Sequence, residues 1–312
     1  MLKKEAEMQA IVLSEYGDPN QLELRDRPEP EPGAGQIKVR VASAGLNPVD
    51  WKLRSGALQK LMPLELPAIL GRDAAGEVVR VGSGVTAFRE GDHVLGLVNG
   101  GYAQFVVAAE EAWAKIPEGL TTKDAGALPL VLLTGDQLAE ATLGPSAGAG
   151  LTVLVTGALG AVGRVAAWRI VQRGARVLAG VRSKQMDEAK SLGIEDVIAL
   201  DDDSALADLP ALDCVADTVG GETIAKILPK IKSNGIIGSV VGEPKGARER
   251  GLMVSAVMTQ PDHARLAHLA AVVAAGLLKI PIAKRFPLVE APAAHALAER
   301  GGIGKVLLMP FA

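Results

Sequence analysis

The sequence predicts an α/β protein in which a doubly wound parallel sheet follows an all-β region. Residues up to about Gly119 contain short alternating apolar runs, such as 36–41 and 76–81, separated by Gly, Pro and Asp turns. From Thr122 onward, helical patterns alternate with apolar runs. This alternation is typical of parallel strands covered by helices on both faces of the sheet.

The predicted elements follow in order along the chain. Strands are expected over residues 153–156, 176–181, 196–200, 214–217, 236–241 and 253–258, and together they would form the doubly wound sheet. A helix is expected over residues 262–275. The last part has mixed character and need not join that sheet: apolar runs at 280–286 and 306–309 flank a helix near 291–300.

Residues 153–163 are the most informative stretch, because an apolar β-branched run leads through three glycines into a helical pattern. Gly157 allows a tight turn, Gly160 lets the backbone approach a pyrophosphate, and Gly163 lets the helix pack on the sheet. The free N–H groups of the helix N-terminus suit a diphosphate. The spacing is G-x-x-G-x-x-G rather than the commonest G-x-G-x-x-G, and a tight turn without a ligand is the alternative interpretation. We predict that the loop binds a dinucleotide through Gly157, Ala158, Gly160, Ala161, Val162 and Gly163.

The next predicted strand ends in Arg182, Ser183 and Lys184. A fold that prefers NAD usually has Asp or Glu here, about 20 residues beyond the loop, to bind the ribose 2′-hydroxyl. Two cations and a hydroxyl would instead attract a 2′-phosphate. The alternative is a solvated basic turn, but the position favours NADP(H), and we expect NADPH to bind more tightly than NADH.

Composition excludes several other functions. The net charge of −3 gives no electrostatic reason to expect nucleic acid or an anionic membrane as a partner. No apolar run is as long as a transmembrane helix and the first residues lack the apolar core of a signal peptide, so we expect a cytoplasmic protein. Cys214 is the only cysteine, and His93, His263, His268 and His295 show no metal-ligand spacing. We therefore predict no metal site, and surface or structural roles for all four histidines.

Several segments resemble one family when they are read in order. Residues 45–56, 71–78, 91–94, 100–106, 157–163, 217–221 and 304–306 occur as in the zinc-independent medium-chain dehydrogenase/reductases of the quinone oxidoreductase-like branch. The match runs from about Met8 to Pro310. The Asn-Pro-Val-Asp-Trp-Lys sequence at 47–52 most resembles that of the chloroplast-envelope quinone oxidoreductase homologues and the enone oxidoreductases.

The resemblance implies two domains and a homodimer. Residues 1–122 and 263–312 would form a GroES-like, partly closed β-barrel domain that binds the substrate. Residues 123–262 would form the NADP(H)-binding Rossmann domain. In such relatives a Thr lies beside the nicotinamide, which assigns that place to Thr134, although the following Gly135-Asp136 departs from the usual small-aromatic pair. Val219, Val241 and Gly242 complete the cofactor-binding set that the resemblance implies.

Departures from the zinc-dependent relatives point to the reaction. Those relatives carry a Cys in the segment matching 44–50 and a His in the 71–76 loop, where this chain has Asn47 and Asp73. Without a Lewis acid, alcohol oxidation is disfavoured, whereas NADPH can still reduce a small electron-poor quinone or α,β-unsaturated carbonyl compound. The second hypothesis is a non-catalytic NADPH-binding protein of the crystallin or adaptor kind.

Three residues are candidates for stabilising a developing oxyanion. Lys52 aligns with a position that is Tyr in several bacterial quinone reductases and Lys in the envelope-type members, although an isolated Lys is more often a surface charge. Tyr102 follows two glycines, and simple core packing is its alternative role. Asn47 would reach the substrate or, together with Asp50, hold its own loop.

Overall fold

A computed structural model describes residues 6–144, 148–302 and 304–312 of the chain. It divides into two compact units, which we call unit 1 (Met1–Leu130 with Pro261–Ala312) and unit 2 (Val131–Gln260). The predicted functional domains, with limits at 122/123 and 262/263, stay a prediction.

The elements are numbered along the chain. The strands are β1 (Glu7–Leu13), β2 (Leu22–Pro28), β3 (Gln36–Gly45), β4 (Ala68–Ile69), β5 (Asp73–Val81), β6 (His93–Leu97), β7 (Phe105–Ala109), β8 (Trp113–Lys115), β9 (Thr152–Thr156), β10 (Arg176–Val181), β11 (Asp196–Ala199), β12 (Leu212–Asp217), β13 (Ile231–Ser239), β14 (Met253–Ala256), β15 (Ile282–Pro287) and β16 (Lys305–Met309). The helices are α1 (Pro48–Arg54), α2 (Thr122–Ala125), α3 (Pro129–Leu143), α4 (Ala161–Gln172), α5 (Met186–Ala189), α6 (Asp203–Ala207), α7 (Gly221–Ile227), α8 (His263–Ala274) and α9 (Ala291–Glu299).

Unit 2 is built on a six-stranded sheet with the order β11-β10-β9-β12-β13-β14, in which every neighbouring pair is parallel. Successive residues of β9 face opposite sides: Val153 and Val155 enter one apolar cluster, and Leu154 enters another. A strand buried on both faces explains why this stretch is a continuous apolar run. The predicted doubly wound Rossmann sheet is confirmed, and its strand order reverses at β9 and β12, where such folds bind nucleotides.

Strand β13 differs from its predicted range of 236–241, because it begins at Ile231. Leu212 of β12 pairs with Ile231, but Cys214 pairs with Ile236, so β13 carries an irregularity between these pairs. Asn234 lies there with a φ of 63°, a conformation that Asn tolerates better than most residues. The polar residues of this irregularity interrupt the apolar run, so the apolar pattern did not predict the first part of the strand.

Unit 1 contains a three-stranded sheet of order β2-β1-β4 and a seven-stranded sheet. The larger sheet has the order β15-β16-β3-β5-β6-β8, with β7 paired to the first half of β3. Ala44 and Gly45, at the other end of β3, pair with Leu308 and Leu307 of β16, which brings the end of the chain into this sheet. Among the described strands β15 and β8 do not pair with each other, so the barrel is partly closed, as predicted.

Helix α1 interrupts the region before Gly119 that we expected to be all-β, and that expectation is wrong here. Asn47 is the N-cap residue, Pro48 occupies the first turn, and Asp50 accepts a hydrogen bond from the Asn47 N–H at 2.8 Å. Pro is favoured at the first helical position, and an acidic residue in the first turn stabilises the helix by interacting favourably with the helix dipole. A helix of only two turns leaves little periodicity to detect.

Within the described part of the chain, no helix is both long enough and apolar enough to cross a lipid bilayer.

Candidate functional site

The glycine loop lies at the carboxyl end of β9, and two of its glycines are required by packing. Gly157 has a φ of 65°, and a Cβ atom there would lie 2.5 Å from Thr218 Oγ1. A Cβ atom at Gly163 would collide with the Gly157 carbonyl oxygen. Gly160 is different, because its φ is −65° and the nearest atom to an added Cβ would be 3.1 Å away. Of these three glycines, Gly160 is therefore the one that neither a positive φ nor a severe collision requires.

Gly160 is also the N-cap of α4, which places the first-turn N–H groups of Ala161, Val162 and Gly163 at the loop. First-turn N–H groups have no acceptor within their own helix. The half-buried loop is fixed by Arg164, whose Nε donates to the Leu159 carbonyl at 2.9 Å. These N–H groups are thereby held ready for an anionic ligand.

Asp217 organises the neighbouring end of β12, and it is not among the site residues predicted from the sequence. Its buried Oδ1 accepts hydrogen bonds from Thr156 Oγ1 at 2.8 Å, from the Val219 N–H at 3.1 Å and from the Gly220 N–H at 3.0 Å. The carboxylate thus joins β9 to the turn after β12. The signal was available, because Asp217 begins the 217–221 segment that carries the family resemblance.

Val219 and Val241 follow β12 and β13 with exposed apolar side chains, at 47% and 41% of their full exposure. The two strand ends are close, since a Cβ atom at Gly220 would lie 2.9 Å from Val241 Cγ2. A cavity of about 430 Å³ lies here within unit 2. Its lining includes Asp217, Gly220, Val241, Gly242 and Lys245. The structure therefore brings Gly157, Val219, Val241 and Gly242 to one edge of the sheet.

Thr134 belongs to α3 and is nearly buried. Its hydroxyl oxygen lies 2.6 Å from Thr259 Oγ1, so the side chain already has a hydrogen-bond partner in unit 2. A hydroxyl can still accept or donate a second bond.

Arg182, Ser183 and Lys184 follow β10 and are all exposed. Ser183 is not free, because its N–H and its hydroxyl both donate to Asp201 Oδ1, at 2.6 and 2.7 Å. These hydrogen bonds, and to a smaller extent the charge of Arg182, lower the pKa of the Asp201 carboxyl. The predicted basic turn therefore has an acidic partner, Asp201, that was not predicted from the sequence.

Asn47 lies in a buried polar cluster of unit 1. Its Nδ2 donates to Asp73 Oδ2 at 2.8 Å, and its Oδ1 accepts from Lys305 Nζ at 2.6 Å. Lys305 Nζ also donates to the Leu46 carbonyl at 2.9 Å and lies 3.3 Å from Asp73 Oδ2. Both polar atoms of the Asn47 side chain are thus occupied within the protein.

Burial raises the pKa of Asp73 and lowers that of Lys305, and the attraction between the two groups opposes both shifts. The residues of this cluster also decide whether a zinc ion, which zinc-dependent relatives bind, could be held here. An amide and a carboxylate here face a lysine ammonium, so a second cation would meet like charge rather than free ligands. Within the described residues no group of three His, Cys, Asp or Glu side chains is arranged to hold a metal. The donor set does not fit a zinc ion.

Tyr102 is completely buried, and its ring packs edge-on against His295 with centroids 5.6 Å apart. Its hydroxyl lies beside Asp50, although neither this hydroxyl nor Asp50 Oδ1 has a hydrogen bond of normal geometry in the described structure. Burial raises the pKa of Asp50 to about 7, and Tyr102 opposes this increase. Burial lowers the pKa of His295 to about 3, and the charge of Arg54 contributes. His295 is therefore neutral and structural at physiological pH.

Lys52 lies on α1 and is half-buried. Its ammonium makes no hydrogen bond or ion pair with the residues that the structure describes. Of the three candidate catalytic residues, Lys52 is the one whose polar group is neither buried nor occupied.

Comparison with known proteins is consistent with this geometry. Residues 33–118 match the alcohol dehydrogenase GroES-like domain, and residues 192–308 match the zinc-binding dehydrogenase family. A quinone oxidoreductase from Pseudomonas aeruginosa is 31% identical, over 96% of this chain and 99% of the relative. A chloroplast envelope quinone oxidoreductase homolog from Arabidopsis thaliana is 29% identical, over 88% and 90%. An NADPH-dependent alkenal/one oxidoreductase from the same plant is 31% identical, over 78% and 65%.

Solved structures agree along almost the whole chain. The quinone oxidoreductase from Coxiella burnetii superposes with a TM-score of 0.87 at 30% identity, over 97% of this chain and 99% of the other. An NAD-dependent alcohol dehydrogenase has a TM-score of 0.85 at 29% identity, over 97% and 99%. A mycobacterial protein in complex with NADPH has a TM-score of 0.83 at 28% identity, over 97% and 100%.

Fold and sequence together define a medium-chain dehydrogenase/reductase, a class of oxidoreductases that bind a nicotinamide cofactor. Within this class the chain belongs to the quinone oxidoreductase-like branch.

Proposed function

We propose that the protein is an NADPH-dependent reductase of quinones or α,β-unsaturated carbonyl compounds that works without zinc. The glycine loop at the carboxyl end of β9, with the exposed cations Arg182 and Lys184 after β10, is the observation that carries this proposal. The quinone oxidoreductases and the alkenal/one oxidoreductase among its relatives support it. We further propose a small electron-poor substrate, a homodimer and a cytoplasmic location.

The nucleotide would be held by residues at the edge of the unit 2 sheet. The loop at Gly157, Ala158 and Gly160 would line the diphosphate site, and the first-turn N–H groups of α4 would bind the anion. The Ala158 and Gly160 N–H groups already donate to the carbonyls of Gly180 and Gly157. Arg182, Ser183 and Lys184 would bind the 2′-phosphate. The nicotinamide end would contact Thr134, Val219, Val241 and Gly242. When bound, NADPH supplies the hydride.

Lys52 is our choice for the residue that stabilises the substrate oxygen. Addition of a hydride to a quinone or to a conjugated carbonyl compound leaves negative charge on an oxygen atom, which a positioned cation stabilises. Asn47 and Tyr102 are then positioning residues. Asn47 begins the helix that carries Lys52, and Tyr102 packs beside Asp50 of the same helix.

The proposal is tested by following NADPH oxidation with p-benzoquinone and with an alkyl vinyl ketone. We expect turnover of both, unchanged after dialysis against a strong chelator. The Lys52→Ala variant should lower kcat for the ketone about a hundredfold, because one oxyanion donor contributes about 2.7–4 kcal/mol. Affinity for NADPH should change little. The Lys60→Ala variant, which removes an exposed lysine nearby, should retain wild-type rates.

Two results would contradict the proposal. Tight NADPH binding without turnover of any acceptor would indicate the non-catalytic nucleotide-binding protein. Wild-type ketone turnover in the Lys52→Ala variant would remove Lys52 from the mechanism.

A further inference from the structure

Asp201 lies beside the basic turn because β10 and β11 are parallel neighbours. Val181 pairs with Ala199 at the end of the ladder, and the Leu200 N–H donates to the Val181 carbonyl at 2.7 Å. Two residues beyond the end of each strand, Ser183 stands next to Asp201. The carboxylate thus follows β11 but acts on the residues that follow β10.

The contact between these two residues is specific. A single oxygen, Asp201 Oδ1, accepts both the Ser183 N–H at 2.6 Å and the Ser183 hydroxyl at 2.7 Å. Both donors belong to the turn that we assign to the 2′-phosphate. An anionic phosphate would need the same donors, and it would also be repelled by the carboxylate.

We propose that Asp201 helps set the choice between NADPH and NADH, by competing with a 2′-phosphate for Ser183 and by accepting a hydrogen bond from a 2′-hydroxyl. This inference rests on the proposed function, because it concerns the same nucleotide site. In folds that prefer NAD, an acidic residue after the second strand performs this task. Here the basic turn follows that strand, and the carboxylate comes from the next one. Arg182 and Lys184 therefore favour NADPH while Asp201 opposes them.

The adjacent residues Asp202 and Asp203 make other contacts, and Asp203 provides a control. Asp202 Oδ1 accepts the Ser204 N–H at 2.9 Å and caps α6. Asp203 forms an ion pair with Lys226 at 2.7 Å. The Asp203→Asn variant therefore removes one negative charge, as Asp201→Asn does, but leaves the Ser183 contact in place.

The test is calorimetric measurement of the dissociation constants of NADPH and NADH for the wild type and both variants. In Asp201→Asn, the NADH-to-NADPH ratio of dissociation constants should rise about tenfold, as expected for one charge-assisted contact. The Asp201→Ser variant, which also lacks the charge, should change the ratio in the same direction. In Asp203→Asn the ratio should stay within about twofold of the wild type.

The outcomes separate this inference from the function on which it rests. A wild-type protein that binds neither nucleotide would overturn the proposed function, and the inference with it. If the wild type binds nucleotide but the ratio is unchanged in both Asp201 variants, only the inference fails. An equal rise in Asp203→Asn would also overturn it, since the effect would then come from general charge and not from the contact with Ser183.

Discussion

The buried ammonium of Lys305 joins residues that are far apart in the sequence. It contacts Asn47, which precedes it by 258 residues, and it is the cation that faces the buried carboxylate of Asp73. Removing one member of a buried ion pair leaves the other charge without compensation, which typically costs about 3–5 kcal/mol.

We therefore expect the Lys305→Met variant to lose about 3–5 kcal/mol of unfolding free energy, measured by urea denaturation. The double variant Lys305→Met, Asp73→Asn should recover part of this loss, because neither charge remains. Lys115→Met removes the exposed partner of an ion pair with Asp92 in the same unit, and should cost less than about 1 kcal/mol. A Lys305→Met protein as stable as the wild type would show that the cluster does not depend on its cation.

Neither Lys305 nor Asp201 was identified as functional from the sequence, for the same physical reason. Each acts through a partner that only the fold brings near: Asn47 and Asp73 for Lys305, and Ser183 for Asp201. The 304–306 segment marked Lys305 as part of the family resemblance, but a lysine in an apolar strand gives no sign of its buried partners. Predicting that Asp201 lies beside Ser183 would have required the end of β11 and its register with β10.

At the level of elements, two glycines of the glycine loop have different roles: Gly163 is needed for packing, and Gly160 is expected to be needed for ligand binding. Gly163 packs against the Gly157 carbonyl, whereas Gly160 has an ordinary φ and a Cβ atom there would meet only the Gly157 carbonyl oxygen, at 3.1 Å. The Gly163→Ala variant should therefore lose about 1–3 kcal/mol of stability, because an inserted methyl group strains the helix packing.

The Gly160→Ala variant should keep its unfolding free energy within about 1 kcal/mol of the wild type. It should nevertheless bind NADPH at least about tenfold more weakly, because the methyl group would occupy the space that a diphosphate needs. Urea denaturation and calorimetry measure the two effects. If Gly160→Ala binds NADPH as the wild type does, the loop is only a strand-to-helix turn.

The sequence predicted the elements of unit 2 better than those of unit 1. Strands such as β9 and β10 are buried on both faces, so an uninterrupted apolar run marks them. Helix α1 was missed because its two turns depend on an N-cap and on tertiary contacts rather than on periodicity. One such contact is the Arg54 guanidinium, which donates to the Gly17 carbonyl at 3.1 Å and pairs with Glu299 at 3.0 Å.

For the molecule as a whole, two buried groups give opposite pH dependences of stability. The folded-state pKa of Asp50 is about 7, above its ordinary 3.8, so the folded state holds an extra proton between these values and Asp50 makes stability fall as pH rises. The folded-state pKa of His295 is about 3, below its ordinary 6.5, so the unfolded state holds the extra proton and His295 makes stability rise with pH. From about pH 4 to pH 6.5 the two contributions oppose each other.

Single variants should expose each contribution. Over that pH range, Asp50→Asn should make the slope of unfolding free energy against pH more positive by up to about 1.4 kcal/mol per pH unit. His295→Gln should make the slope more negative by a similar amount. Urea denaturation at a series of pH values measures both slopes, and two slopes equal to the wild-type value would contradict the assigned pKa values.

The pairing of β3 with β16 has a consequence for how the chain folds during its synthesis. All of Val131–Gln260 is made before β16, and this continuous stretch has its own sheet and core. We expect unit 2 to fold while the ribosome is still working, whereas unit 1 holds Ala44 and Gly45 of β3 as an unpaired edge until β16 emerges. Pairing across so long a stretch of chain is slow. We therefore expect this edge of unit 1 to be a place where the nascent protein can pair with other chains until β16 has been made.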